Sequence, residues 1–197
     1  MCFVTGCGTP NSSTQESIVK TDENQEPVID DKEPDEMSIY LLPSFWQTQN
    51  NDTIEFSDWK GNVLVVVMFY TSCKTACPRL VADMRDIESR VSPLARKNIK
   101  YILVSIDPEV DTPERLKRFG KANQMEGEQW IFLHGSDESV REFANVLSVK
   151  YAQISPVDFS HSNIISVFDE QGILRHQQEG LGVNNETIVR TIIELSK

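Results

Sequence analysis

Apolar positions along this chain switch between two periods, and the switches mark out an α/β domain. Val63-Leu64-Val65-Val66-Val67-Met68-Phe69 is a near-continuous β-branched run, the pattern of a strand covered on both faces. Ile99 to Ile106 is a second central run and Trp130 to Leu133 a third. Between the strands the period lengthens to that of a helix. Leu80, Val81, Met84 and Ile87 predict a helix from about 78 to 91, with Pro78 at its first turn. Thr112 followed by Pro113 opens another, running to about 124. Ser136 caps a third, whose apolar positions are Val140, Phe143, Ala144 and Leu147. Upstream, residues 46–59 read as an opening hairpin, turned at Asn50-Asn51-Asp52 and ended by Lys60-Gly61. Downstream, Ile164–Phe168 and Ile173–Gln177 flank the turn Asp169–Gly172, a second hairpin. Asn184 or Asn185 caps a last helix carrying Ile188, Ile192 and Leu195.

The order is β-α-β-α-β-α, then a β-hairpin and a helix. Right-handed crossovers make the first part a parallel sheet, to which the closing hairpin adds antiparallel strands. The expected fold class is therefore α/β: a thioredoxin-like sandwich with a central mixed β-sheet flanked by helices. It carries an extra N-terminal β-hairpin and an inserted strand–helix unit. Sites in such open sheets lie beyond the carboxyl ends of the parallel strands. Cys73, Asp107 and His134 fall at those ends, and His161, ahead of an antiparallel strand, falls on the same edge.

Charge divides the chain in two. Residues 1–38 hold nine Asp/Glu against two Lys, a net of −7 out of the total −11, with three of the nine prolines. Such a segment buries too little apolar surface to offset its ordering entropy, so 1–38 is expected to be a flexible acidic tether. Residues 39–197, with 21 acidic and 17 basic side chains and all three Trp, make the globular domain. An acidic chain without a basic stripe argues against nucleic acid as a partner. No apolar run approaches the ~18 residues of a membrane-spanning helix. Two of the four cysteines, Cys2 and Cys7, lie outside any core. Val4-Thr5-Gly6-Cys7 resembles a bacterial lipobox, although only six residues precede its cysteine. The expectation is a lipid on Cys7 that anchors the protein to a membrane in the cell envelope, facing the periplasm or another extracytoplasmic space, where thiol pairs tend to be oxidised.

The chemistry sits in Cys73-Lys-Thr-Ala-Cys77-Pro78. A helix N-terminus at Cys77 is expected to favour its thiolate, and Lys74 acts in the same sense. Two such sulfurs form a redox-active pair that can close a disulfide or hold a soft metal. Thiolates select Cu(I), and one added imidazole lets the site tolerate Cu(II) as well. A structural zinc site normally takes four protein ligands, and the domain has no second cysteine pair. Of three histidines, His161 in the loop Phe159-Ser-His161-Ser-Asn163 is the best third ligand, since its small polar neighbours leave room. His134 precedes an ordinary turn and cap, and His176 alternates with polar residues as if facing solvent. Asp107 and Asp111 have two readings: carboxylates that orient a ligand or meet a partner, or plain turn chemistry.

These residues resemble the Sco/SenC family of thioredoxin-fold copper chaperones over about residues 40–197. The Cys-x-x-x-Cys-Pro motif stands here as Cys73 to Pro78, and Val104-Ser-Ile-Asp107-Pro108-Glu-Val-Asp111-Thr112-Pro113 is similar to a specific family segment. Trp130-Ile-Phe-Leu-His-Gly135 corresponds to a third, and His161 falls where the family's metal-binding histidine sits. The resemblance implies copper bound by Cys73, Cys77 and His161, as Cu(I) or Cu(II). It implies delivery to the binuclear copper site (CuA) of cytochrome c oxidase subunit II during respiratory oxidase assembly. Where many members carry Asp directly before the histidine, this chain has Ser160, with Asp158 three residues ahead of His161. The rival expectation is a thiol–disulfide oxidoreductase acting on the oxidase subunit, on other thiol–disulfide proteins or in redox signalling. That activity needs only Cys73 and Cys77.

Overall fold

The computed structural model describes residues 38–91, 99–155 and 158–197. The acidic segment and the lipobox-like stretch lie outside the described residues, apart from Ser38. β1 (Trp46–Thr48) and β2 (Thr53–Ile54) form the opening hairpin, turned through Asn51 at φ 68°. The hairpin ends sooner than its pattern suggested. Phe56–Trp59 is a 3-10 turn whose aromatic residues, Phe56 and Trp59, are buried. β3 (Val63–Phe69) is buried at every position, as a two-sided strand should be. α1 (Cys77–Arg90), β4 (Ile99–Ser105), α2 (Pro113–Ala122), β5 (Trp130–His134) and α3 (Asp137–Val146) complete the alternating part. β6 (Tyr151–Ser155) and β7 (Asp158–His161) come next, then β8 (Ile164–Phe168), β9 (Leu174–Glu179) and α4 (Glu186–Leu195).

Seven strands make one sheet in the order β2-β1-β5-β4-β3-β8-β9. Its centre is parallel, β3 on β4 and β4 on β5, and both edges are antiparallel. The mixed sheet with an added N-terminal hairpin is the expected architecture. Full burial of a Val, Leu or Ile contributes roughly 1.5–3 kcal/mol, so the paired residues Val66–Ile102 and the row Val67–Leu103–Phe132 anchor the core. Phe143 of α3 stacks on Phe56 with ring centres 4.7 Å apart and meets Trp46 edge-on at 5.5 Å. Gly135 makes this possible, because a Cβ there would stand 2.5 Å from the Trp46 ring.

Helix caps follow the sequence closely. Thr112 and Ser136 accept the N–H groups of Arg115 and Ser139. At α4 both asparagines take part. Asn185 occupies the cap position, while the Asn184 side chain accepts the Glu186 N–H at 2.9 Å.

One element departs from expectation. β6 and β7 form a separate two-stranded sheet, and His161, expected in a loop, is the last residue of β7. Ala152, Gln153 and Ile154 are all exposed, Ile154 by 63%. With no buried face, the segment lacks the alternation that marks a strand in sequence. Among the described residues no helix is long and apolar enough to cross a membrane.

Candidate functional site

Cys73 and Cys77 lie beyond the carboxyl end of β3, both reduced. Cys77 is the first residue of α1 and only 1% exposed; Cys73, one turn earlier, is half-buried. Ala76, at the cap position of α1, offers no side-chain acceptor. The Cys73 sulfur takes that place, accepting the Cys77 N–H at 3.3 Å.

This geometry reverses the expected division between the thiols. Burial pushes the Cys77 thiol up, outweighing the Tyr70 N–H that favours its thiolate. Burial would raise Cys73 as well, but the Cys77 N–H and thiol and the Thr75 N–H together hold it below the usual thiol range. The helix N-terminus thus activates Cys73, whereas the sequence pointed to Cys77. A buried sulfur gains less from the helix end than it loses in desolvation, and burial was not legible in the motif.

His161 reaches the dithiol from 84 residues downstream. Its Nε2 lies 3.8 Å from the Cys77 sulfur. Its Nδ1 faces the Ser162 carbonyl at 3.1 Å, and a carbonyl only accepts, so the ring proton sits on Nδ1 and the Nε2 lone pair is free. Burial lowers the His161 pKa, with the Ser162 carbonyl acting against it, which keeps the ring neutral and able to donate to a metal. The ring is thus oriented by a backbone carbonyl. The Asp158 side chain instead accepts a hydrogen bond from the Tyr70 hydroxyl. Tyr70, at the end of β3, also lies edge-on to His161 at 5.9 Å and to Phe159 at 5.2 Å. Sequence reasoning missed Tyr70; the signal was a hydroxyl closing an otherwise apolar run.

Among the described residues no group of three or more His, Cys, Asp or Glu side chains is assembled to hold a metal ion. The contacts are pairwise, Cys73 with Cys77 and Cys77 with His161. Two soft sulfurs and one neutral imidazole are nevertheless a donor set suited to copper.

The neighbouring loop serves the cysteines from behind. Asp111, 0% exposed, accepts the Thr71 N–H at 2.9 Å, the Ser105 hydroxyl at 2.7 Å and the Thr71 hydroxyl. Arg115 stands 3.5 Å from the same carboxylate and donates to Thr71 and Ser72, the two residues before Cys73. Asp107 is buried, and burial, then the charges of Asp111 and Glu109, raise its pKa. His134 is engaged elsewhere, its Nδ1–H donating to the Asp111 carbonyl at 3.1 Å. His176, on edge strand β9, is half-buried and not simply solvent-facing.

Residues 41–197 match the family model described as SCO1/SenC. A SCO1 protein homolog of Bacillus subtilis (strain 168) is 30% identical over 111 residues, 56% of this chain and 57% of that protein. The chain spans 57–64% of the length of the curated relatives it matches. Among solved structures, BsSco is described as having a disulfide switch and as a member of the Sco family of cytochrome c oxidase assembly proteins. It superposes with a TM-score of 0.69 at 23% identity, over 83% of this chain and 97% of that one. Arabidopsis thaliana ScoI with copper bound superposes at 0.67 and 15% identity, over 78% and 95%. These likenesses establish the thioredoxin-like fold. With the family match running through the sheet, the cysteine motif and His161, the chain belongs to the SCO1/SenC family.

Proposed function

We propose that this protein is an extracytoplasmic copper chaperone that loads the CuA site of cytochrome c oxidase subunit II. Cys73, Cys77 and His161 hold the copper in transit. The observation that carries this reading is the 3.8 Å approach of His161 Nε2 to the Cys77 sulfur, with the ring proton turned away toward Ser162. The copper-bound Arabidopsis relative and the family's link to oxidase assembly support it. Copper is cargo here. Both thiols lose their protons on binding, so affinity rises with pH, and a Cys73–Cys77 disulfide excludes the metal. Redox state therefore gates loading. In this reading residues 1–38 are the tether, and a lipid on Cys7 holds the domain 39–197 at the membrane, facing the extracytoplasmic space.

The test is a Cu(I) titration of the reduced protein beside Cys73→Ala, Cys77→Ala and His161→Ala. The expected result is a tight one-to-one complex in the wild type, weakened in every variant. Equally weak binding by the wild type and both cysteine variants ends the copper reading.

A second reading, a thiol–disulfide oxidoreductase acting on the oxidase subunit or in redox signalling, is favoured by one observation. The two thiols are unlike: an activated, half-exposed Cys73 beside a buried Cys77 is the asymmetry of an attacking and a resolving pair. Full function in cells of His161→Ala would support it over the chaperone.

A further inference from the structure

β6 and β7 hydrogen-bond to each other and to no strand of the main sheet. A two-stranded hairpin is marginal in water by itself, and β6 turns Ala152, Gln153 and Ile154 outward. The arm that carries His161 must therefore be seated by side-chain contacts. On β6, Tyr151 lines a pocket together with Arg141 of α3. On β7, three of the four residues meet a single side chain. Tyr70, 1% exposed, donates its hydroxyl proton to Asp158, and the same oxygen accepts the Phe159 N–H at 3.2 Å. Its ring edge packs on Phe159 and His161. The ring belongs to the core and would be matched by Phe; the hydroxyl is the separable part. A hydrogen bond to a carboxylate is among the stronger kinds.

We propose that Tyr70 is a positioning residue whose hydroxyl, bound to Asp158, latches the β6–β7 arm so that His161 stands against Cys77. This rests on the copper reading for its consequence, and on the arm's geometry for its cause. Asp158 thereby serves His161 indirectly, by holding its strand and not its ring.

The full chain, reduced, is titrated with Cu(I) in competition with a chromophoric chelator. Tyr70→Phe and Asp158→Asn should each weaken binding roughly tenfold, the scale of a lost charge-assisted hydrogen bond. In a His161→Ala background the same substitutions should change affinity by less than about twofold, because the arm no longer carries a ligand. Without metal, amides of residues 151–155 and 158–161 should exchange faster in Tyr70→Phe while those of α1 keep their rates. Unchanged copper affinity in both variants overturns the latch. So does an equal loss in the His161→Ala background, which would mean that Tyr70 acts on the sulfurs. A wild type that binds no Cu(I) ends the copper reading instead, and amide exchange then decides the latch alone.

Discussion

Three residues separate Cys73 from Cys77, yet their sulfurs meet opposite fates. The first helical N–H reaches back to Cys73, while Cys77 is sealed beneath the helix start. Iodoacetamide should therefore alkylate Cys73 well before Cys77 in the reduced protein. Because the Cys73 thiol ionises below the ordinary range, its rate should climb with pH around a midpoint lower than that of a free thiol. Peptide mapping after brief labelling at several pH values reads both outcomes; faster labelling of Cys77 would contradict them. The motif and its neighbouring proline were plain in the sequence, and so was the choice of His161 among three histidines. Which sulfur is activated was not, because the answer turns on burial from above, and no pattern within six residues encodes that.

Elements position the site through a relay of polar contacts behind it. Asp111, at the end of the loop after β4, ties Thr71 to Ser105, and Arg115 on the first turn of α2 closes the relay at Thr71 and Ser72. The sequence left Asp111 between a functional and a turn role. In the structure it is a support for the cysteine loop, linking three segments that periodicity treats separately. Asp111→Ala should cost about 3 kcal/mol, since it strands buried donors and an arginine at once. Urea denaturation measures the loss. A change below about 0.5 kcal/mol, the size of an ordinary surface substitution, would show that the relay adds nothing to stability. The central strands of the main sheet and its helices were legible because each buries an apolar face. The β6–β7 arm was not: β6 turns three successive residues outward and neither strand has a fully buried residue, so no apolar stripe marks it and only its partners in space define it.

For the whole molecule, the fold brings His161 against Cys77 although the chain runs through four strands and three helices between the second cysteine and the histidine. On the proposed copper site, a metal bridging those positions would bind only the folded protein and stabilise it by mass action, by about 2.7 kcal/mol at a hundredfold excess over the dissociation constant. A thermal scan of the reduced protein with Cu(I) should show a raised midpoint, and the same scan after closing the disulfide should show none. An equal rise in both states would place the metal elsewhere.

If the protein is the chaperone proposed above, it has to surrender what it holds, and the arm offers a way to do so with little disruption. Its ladder begins and ends in itself, so withdrawing the imidazole breaks no rung of the main sheet. On the proposed chaperone role, an incoming donor group on the acceptor would displace His161 first while both sulfurs kept their grip. Hand-over would then proceed one bond at a time, with the movement confined to the two short strands of the arm.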